Sequence, residues 1–88
     1  MRETLYCSSV NPEGRIILSY ALYEEEKVDE SIYSIEITEY RGEERTDSVF
    51  IYDVCREERG ALDLVRLLES ETVTPCTALY ILDELLPV

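Results

Sequence analysis

The side chains best equipped for covalent, acid–base or metal chemistry in this chain are three cysteines and twenty carboxylates, and no histidine accompanies them. A cysteine nucleophile needs a base within hydrogen-bond reach, usually an imidazole. Cys55 is the best placed of the three, because a helix is expected to start there and a helix N-terminus lowers a thiol pKa. Glu57 and Glu58 beside it work in the opposite direction. Cys7, Cys55 and Cys76 are odd in number, far apart and without CxxC spacing. They read as small buried or half-buried side chains of a reduced, cytoplasmic protein, and a zinc site, which needs four Cys or His ligands, is not expected.

The carboxylates are too numerous to single out a pair. Glycosidase chemistry needs two acids across a shaped cleft, for which so small a chain has little room. Hard cations favour carboxylate oxygens, yet Glu24, Glu25, Glu26, Asp29 and Glu30 lack EF-hand spacing and the glycine at its bend. None of the three glycines belongs to a phosphate-binding loop or a dinucleotide fingerprint. A net charge of −12 opposes direct contact with nucleic acid. Neither metal nor cofactor is expected, and the chain reads as a non-enzyme.

The charge leaves one inverse reading open, an acidic protein that imitates nucleic acid in a basic groove, as an anti-restriction or antitoxin-like inhibitor does. Residues 24–47 hold ten acids against three bases. The loops that concentrate them nevertheless lie at opposite ends of a strand, some 25–30 Å apart at about 3.3 Å per residue, with mainly Glu36 between. Seven tyrosines fit core and interface packing better than base stacking on so negative a surface.

The elements that position these residues follow from apolar spacing. Eighty-eight residues with 45% apolar side chains make one folded domain, 1–88. Residues 4–10 and 15–23 read as strands joined by Asn11-Pro12-Glu13-Gly14, with Val10 opposite Arg15. Leu5, Cys7 and Ser9 then share a face with Ile16, Leu18 and Tyr20. Residues 32–40 alternate cleanly, sending Tyr33, Ile35 and Ile37 to the core with Leu18, Tyr20 and Leu22. Residues 24–30 read as a solvated charged loop and 41–45 as a turn. In a fourth strand, 47–54, Val49, Phe50, Ile51 and Tyr52 are consecutive and bulky, so alternation does not assign their faces.

The second half is helical. Cys55-Arg56-Glu57-Glu58 resembles a capping box, with Gly60 an unfavourable residue in the first turn. Thr74-Pro75 is an N-cap followed by proline at the first helical position, opening a helix to Leu86 that Pro87 ends. The second helix has an apolar arc of about 160°; Leu62 and Leu67 widen that of the first to about 220°. A helix lying on a sheet needs less, so the first helix is expected to touch a second object, its sister helix or another subunit. No targeting segment is read at Met1-Arg2-Glu3-Thr4, and no apolar stretch approaches membrane-spanning length.

The Leu-rich helix after Val54, Val73-Thr74-Pro75, Leu79 through Asp83-Glu84-Leu85-Leu86, and Tyr33-Ser34-Ile35-Glu36-Ile37 together resemble a family of short bacterial proteins, mainly from anaerobic Gram-positives, known only as a domain of unknown function. The likeness covers about residues 30–86. It implies no activity, cofactor or functional residue.

The expected fold is α+β: a four-stranded antiparallel meander (4–54) followed by two C-terminal helices (55–86) on one face. The other face then carries Ser8, Ser19, Ala21 and Ser34, ringed by Tyr6, Val10, Ile17, Tyr23 and Ile32. A small acidic protein-interaction or regulatory module is the reading these features favour. Its candidate interface residues are Tyr6, Ser8, Ile17, Ser19, Ala21, Tyr23 and Ser34 on the sheet, with Leu62 and Leu67 on the first helix. The partner would be an unknown protein or a second copy, with no nucleic acid, membrane or metal.

Overall fold

A computed structural model describes residues 2–10 and 16–85, with the side chains of 5–10, 79 and 82–85 outside the description. The chain forms four antiparallel strands, β1 (Arg2–Val10), β2 (Ile16–Glu26), β3 (Ser31–Arg41) and β4 (Glu44–Cys55), followed by α1 (Glu58–Ser70) and α2 (Pro75–Leu85). The sheet order is β1-β2-β3-β4, the expected meander, and the class is α+β. The Asn11–Gly14 turn and Pro87 lie outside the described residues.

The alternation of β2 and β3 sets the inner face. Tyr20 pairs with Ile37, Leu22 with Ile35 and Glu24 with Tyr33. Leu18, Tyr20, Leu22, Tyr33, Ile35 and Ile37 are buried beneath the helices with Ala61, Val65, Leu68, Val73 and Ala78. β2 and β3 are longer than expected at the loop between them. Glu24 therefore belongs to β2 and is buried, whereas 24–30 read from sequence as a solvated loop; only 27–30 connect the strands, closed by the Lys27 amide on the Glu30 carbonyl at 2.7 Å.

β1 pairs two residues out of the expected register, with Val10 opposite Ile17 instead of Arg15. Because side chains alternate with period two, this slip keeps every residue on its expected face. Near the start of β1 a bulge intervenes between Glu3 and Leu5, and Arg2 pairs with Glu24. Continuing the regular register would set Glu3 against Glu24, two like charges. The extra residue, Thr4, exchanges that repulsion for an ion pair.

β4 is irregular twice. Arg41 and Glu44 pair across the tight Gly42-Glu43 turn, where Gly42 adopts φ 64°. A register shift at Thr46 then places Val49 opposite Ile37 and Ile51 opposite Ile35, so these two face inward and Phe50 faces outward. Further along, Ser34 stands alone against residues 52–54, and Asp53 turns through φ 57° there with its amide on the Ser34 hydroxyl at 3.1 Å. This second irregularity returns Val54 to the core.

Cys55 ends β4 and is not a helix cap. The N-cap of α1 is Glu57, which makes no side-chain capping bond. Gly60 is explained by proximity: a Cβ there would meet the Cys55 sulfur at 2.9 Å. The far end of α1 closes with Thr72 at φ 48°, its amide on the Glu69 carbonyl, and the Val73 amide on that of Leu68, a Schellman arrangement with apolar Val73 and Leu68 both buried. The fully buried Tyr20 hydroxyl donates to the Val73 carbonyl at 2.9 Å, tying this connector to the middle of β2. Thr74 opens α2 as expected, its carbonyl accepting from the Thr77 and Ala78 amides. α1 approaches β1 and β2 as well as the other strands, and α2 approaches β3 and β4.

Candidate functional site

The outer face of the sheet gathers most of the residues expected at an interface. Ile17, Ser19, Ala21 and Tyr23 alternate along β2, and Ala21 pairs with Glu36, Tyr23 with Ser34 and Ser19 with Thr38. Tyr6 and Ser8 pair with Ala21 and Ser19 from β1, their side chains lying outside the described residues. Ser19, Ala21, Ser34 and Thr38 are buried although both helices lie on the other face. Larger side chains share the face with these small ones.

Two of them are aromatic: Tyr23 stands opposite Ser34, and Phe50 opposite Glu36. The Tyr23 and Phe50 rings pack at a centroid distance of 6.0 Å and 53° between planes, a tilted pair. Phe50 remains 46% exposed and Tyr52 51% exposed. Tyr23 donates to the Glu36 carboxylate at 3.4 Å. Burial, then the Glu36 charge, raise the Tyr23 hydroxyl above its ordinary pKa, so it stays a neutral donor at physiological pH. The face sets small buried residues beside partly exposed aromatic rings, and it can bind by aromatic contact. Phe50 and Tyr52 were not among the expected residues. Their signal, the strand register fixed beyond the Thr46 bulge, does not exist in the sequence.

Leu62 and Leu67 do not join this face. They sit on α1, in the other layer, Leu62 half-buried and Leu67 40% exposed. Leu62 lines a shallow cavity of about 410 Å³ with Arg2, Glu3, Thr4 and Glu58, on the β1 side of the molecule.

Two ionic clusters flank one end of the sheet. Glu24 accepts from Arg2 and, at 2.9 Å, from the Tyr33 hydroxyl. The Tyr33 bond, then that of Arg2, hold its carboxyl below the ordinary carboxylate range. On the other side, Arg56 grips Asp53 with two bonds of 2.9 and 3.0 Å and reaches Glu30 at 2.6 Å, joining the β2–β3 connection to the end of β4. Tyr52 donates to Glu25 at 3.0 Å beside the Lys27–Glu25 pair at 2.9 Å. Each buried or half-buried acid here already has a cationic or hydroxyl partner, so the clusters act as fasteners. Among the described residues, no group of three or more Cys, Asp or Glu is arranged to hold a metal ion, and no helix is long and apolar enough to cross a membrane.

Comparison with curated proteins and with solved structures finds no match. The model of one family, described as a family of unknown function (DUF6514), matches residues 1–88, extending the resemblance seen over residues 30–86 to the first two strands as well. The chain belongs to that family of unknown function.

Proposed function

We propose that this protein is a non-enzymatic interaction or regulatory module that docks a protein partner on the outer face of its sheet. One observation carries the reading: on the outer face, beside the small buried residues Ser19, Ala21, Ser34 and Thr38, the aromatics Phe50 and Tyr52 are left about half exposed. Such rings lose little conformational entropy on binding and supply most of the contact area in protein interfaces. The thiols Cys55 and Cys76, without a disulfide, support a reduced, cytoplasmic setting.

Nucleic-acid mimicry would call for a continuous acidic row. The outer face offers Glu36 at its centre, half-buried and accepting from Tyr23, while Glu24, Glu25 and Glu30 at one end are neutralised by Arg2, Lys27 and Arg56. The interaction reading is therefore preferred.

The test is affinity capture from the native cytosol with Phe50→Glu as the matched control. A partner retained by the wild type and lost by the variant supports the reading. Equal recovery by both proteins, or recovery of nothing by either, overturns it.

A further inference from the structure

The buried and half-buried acids of the sheet follow one pattern, with one exception. Glu24, Glu25, Glu39 and Asp53 each meet a cation, respectively Arg2, Lys27, Arg41 and Arg56. Glu36, half-buried in β3, meets none among the described residues. Its carboxylate accepts from the Tyr23 hydroxyl at 3.4 Å, which is long for a hydroxyl donating to a carboxylate. A carboxylate taken partly out of water is stabilised by a cation, and here the neighbouring strands supply none.

Glu36 also stands at the middle of the outer face, between Ala21 on β2 and the exposed ring of Phe50 on β4. The cations of this side lie toward its two ends and are engaged there, Lys27 with Glu25 at 2.9 Å and Arg45 with the Ser48 hydroxyl at 2.7 Å. Glu3 stands opposite Tyr23 on β1, and its charge, after burial and the charge of Glu36, raises the Tyr23 hydroxyl. A carboxylate without a cation beside an exposed aromatic ring matches a guanidinium, whose plane stacks on the ring while its N–H groups donate to the oxygens. One carboxylate at mid-face suits one cationic side chain, whereas a phosphate-binding groove requires a row of them.

We propose, resting on the docking reading above, that the protein partner of the outer face is basic, and that one of its arginines stacks on Phe50 and pairs with Glu36. A net charge of −12 selects the same sign of partner and speeds its approach. Glu36 decides where it lands, because the other half-buried acids of the sheet are already neutralised by cations of this chain.

Titration of the full chain with an acetylated and amidated tetra-arginine peptide, followed residue by residue through backbone amide chemical shifts, tests it. The expected result is saturable binding with its largest shifts at Ala21, Glu36 and Phe50. Glu36→Gln, which keeps the shape and an acceptor for Tyr23, weakens binding about three- to tenfold, and Phe50→Leu about two- to fivefold. Glu43→Gln, the same change of charge in an exposed turn, leaves it unchanged. No binding, shifts spread over the acidic turns, or equal weakening by Glu36→Gln and Glu43→Gln overturns the proposal, the last two because they mark diffuse attraction to a negative chain. The docking reading fails separately. A partner captured from cytosol that Phe50→Glu loses and Glu36→Gln retains leaves docking in place and overturns the arginine contact.

Discussion

The two faces of this sheet are buried by different means. On the inner face Tyr20, Leu22, Ile35 and Ile37 lose all contact with water because two helices cover them. On the outer face Ser19, Ala21, Ser34 and Thr38 are also buried, with no helix above them. Large residues under a second layer make a core; the small residues of the outer face are buried beside aromatic side chains that stay about half exposed. Fractional exposure alone does not separate the two cases. Residue size does, because only the inner face removes enough apolar surface to drive folding.

The sharpest test of that contrast is truncation on each side. Leu22→Ala should cost about 2–5 kcal/mol in denaturant unfolding, since a fully buried leucine leaves a cavity. Phe50→Ala, on the outer wall, should cost about 1 kcal/mol; equal losses would mean that the outer face is part of the core. Tyr20→Phe comes next. It leaves the Val73 carbonyl buried without its donor and should cost about 1–3 kcal/mol at almost unchanged volume.

Thr72→Gly works in the opposite direction. Thr72 closes α1 in the left-handed region, where glycine is favoured, so the variant should melt higher by about 0.5–1 kcal/mol of added stability. The smallest effect concerns acid. The carboxyl of Glu24 is held below its ordinary value of 4.5, first by Tyr33 and then by Arg2. A carboxylate depressed in the folded state contributes stability that is fully present above its unfolded pKa and lost as pH falls through the folded one. Tyr33→Phe should therefore lower stability most at neutral pH, with the loss shrinking as pH falls through the carboxyl range, and move the acid-unfolding midpoint, followed by circular dichroism, to higher pH. An unmoved midpoint would show that Glu24 is held by Arg2 alone.

Much of the architecture is readable in the chain, and the reason is alternation. Tyr33-Ser34-Ile35-Glu36-Ile37 permits one facing, and the slip of β1 by two residues left the faces untouched. The placing of Ser19, Ala21 and Ser34 on the outer face followed from the same parity. β4 resisted because its four bulky residues in a row match either face. Counting back from the Gly42 turn would have misled, since the regular register sets Phe50 opposite Ile35 and turns it inward. The bulge at Thr46 reverses that, and no residue there announces a bulge. Cys55 was mistaken for a cap for a related reason: the irregularity at Asp53 lengthens β4 beyond its expected end. Leu62 and Leu67 widen the apolar arc of α1, but helical spacing does not tell which layer or which edge they border.

The Tyr20 hydroxyl has a consequence for how the molecule opens. It reaches from the centre of β2 to the connector between the helices, 53 residues away in sequence. Neither helix can swing off the sheet at that connector without stranding a donor and an acceptor in an apolar interior. Excursions that release the end of α1 or the start of α2 should therefore carry a free energy close to that of unfolding the middle strands, and the molecule should breathe as one unit at that point while fraying elsewhere.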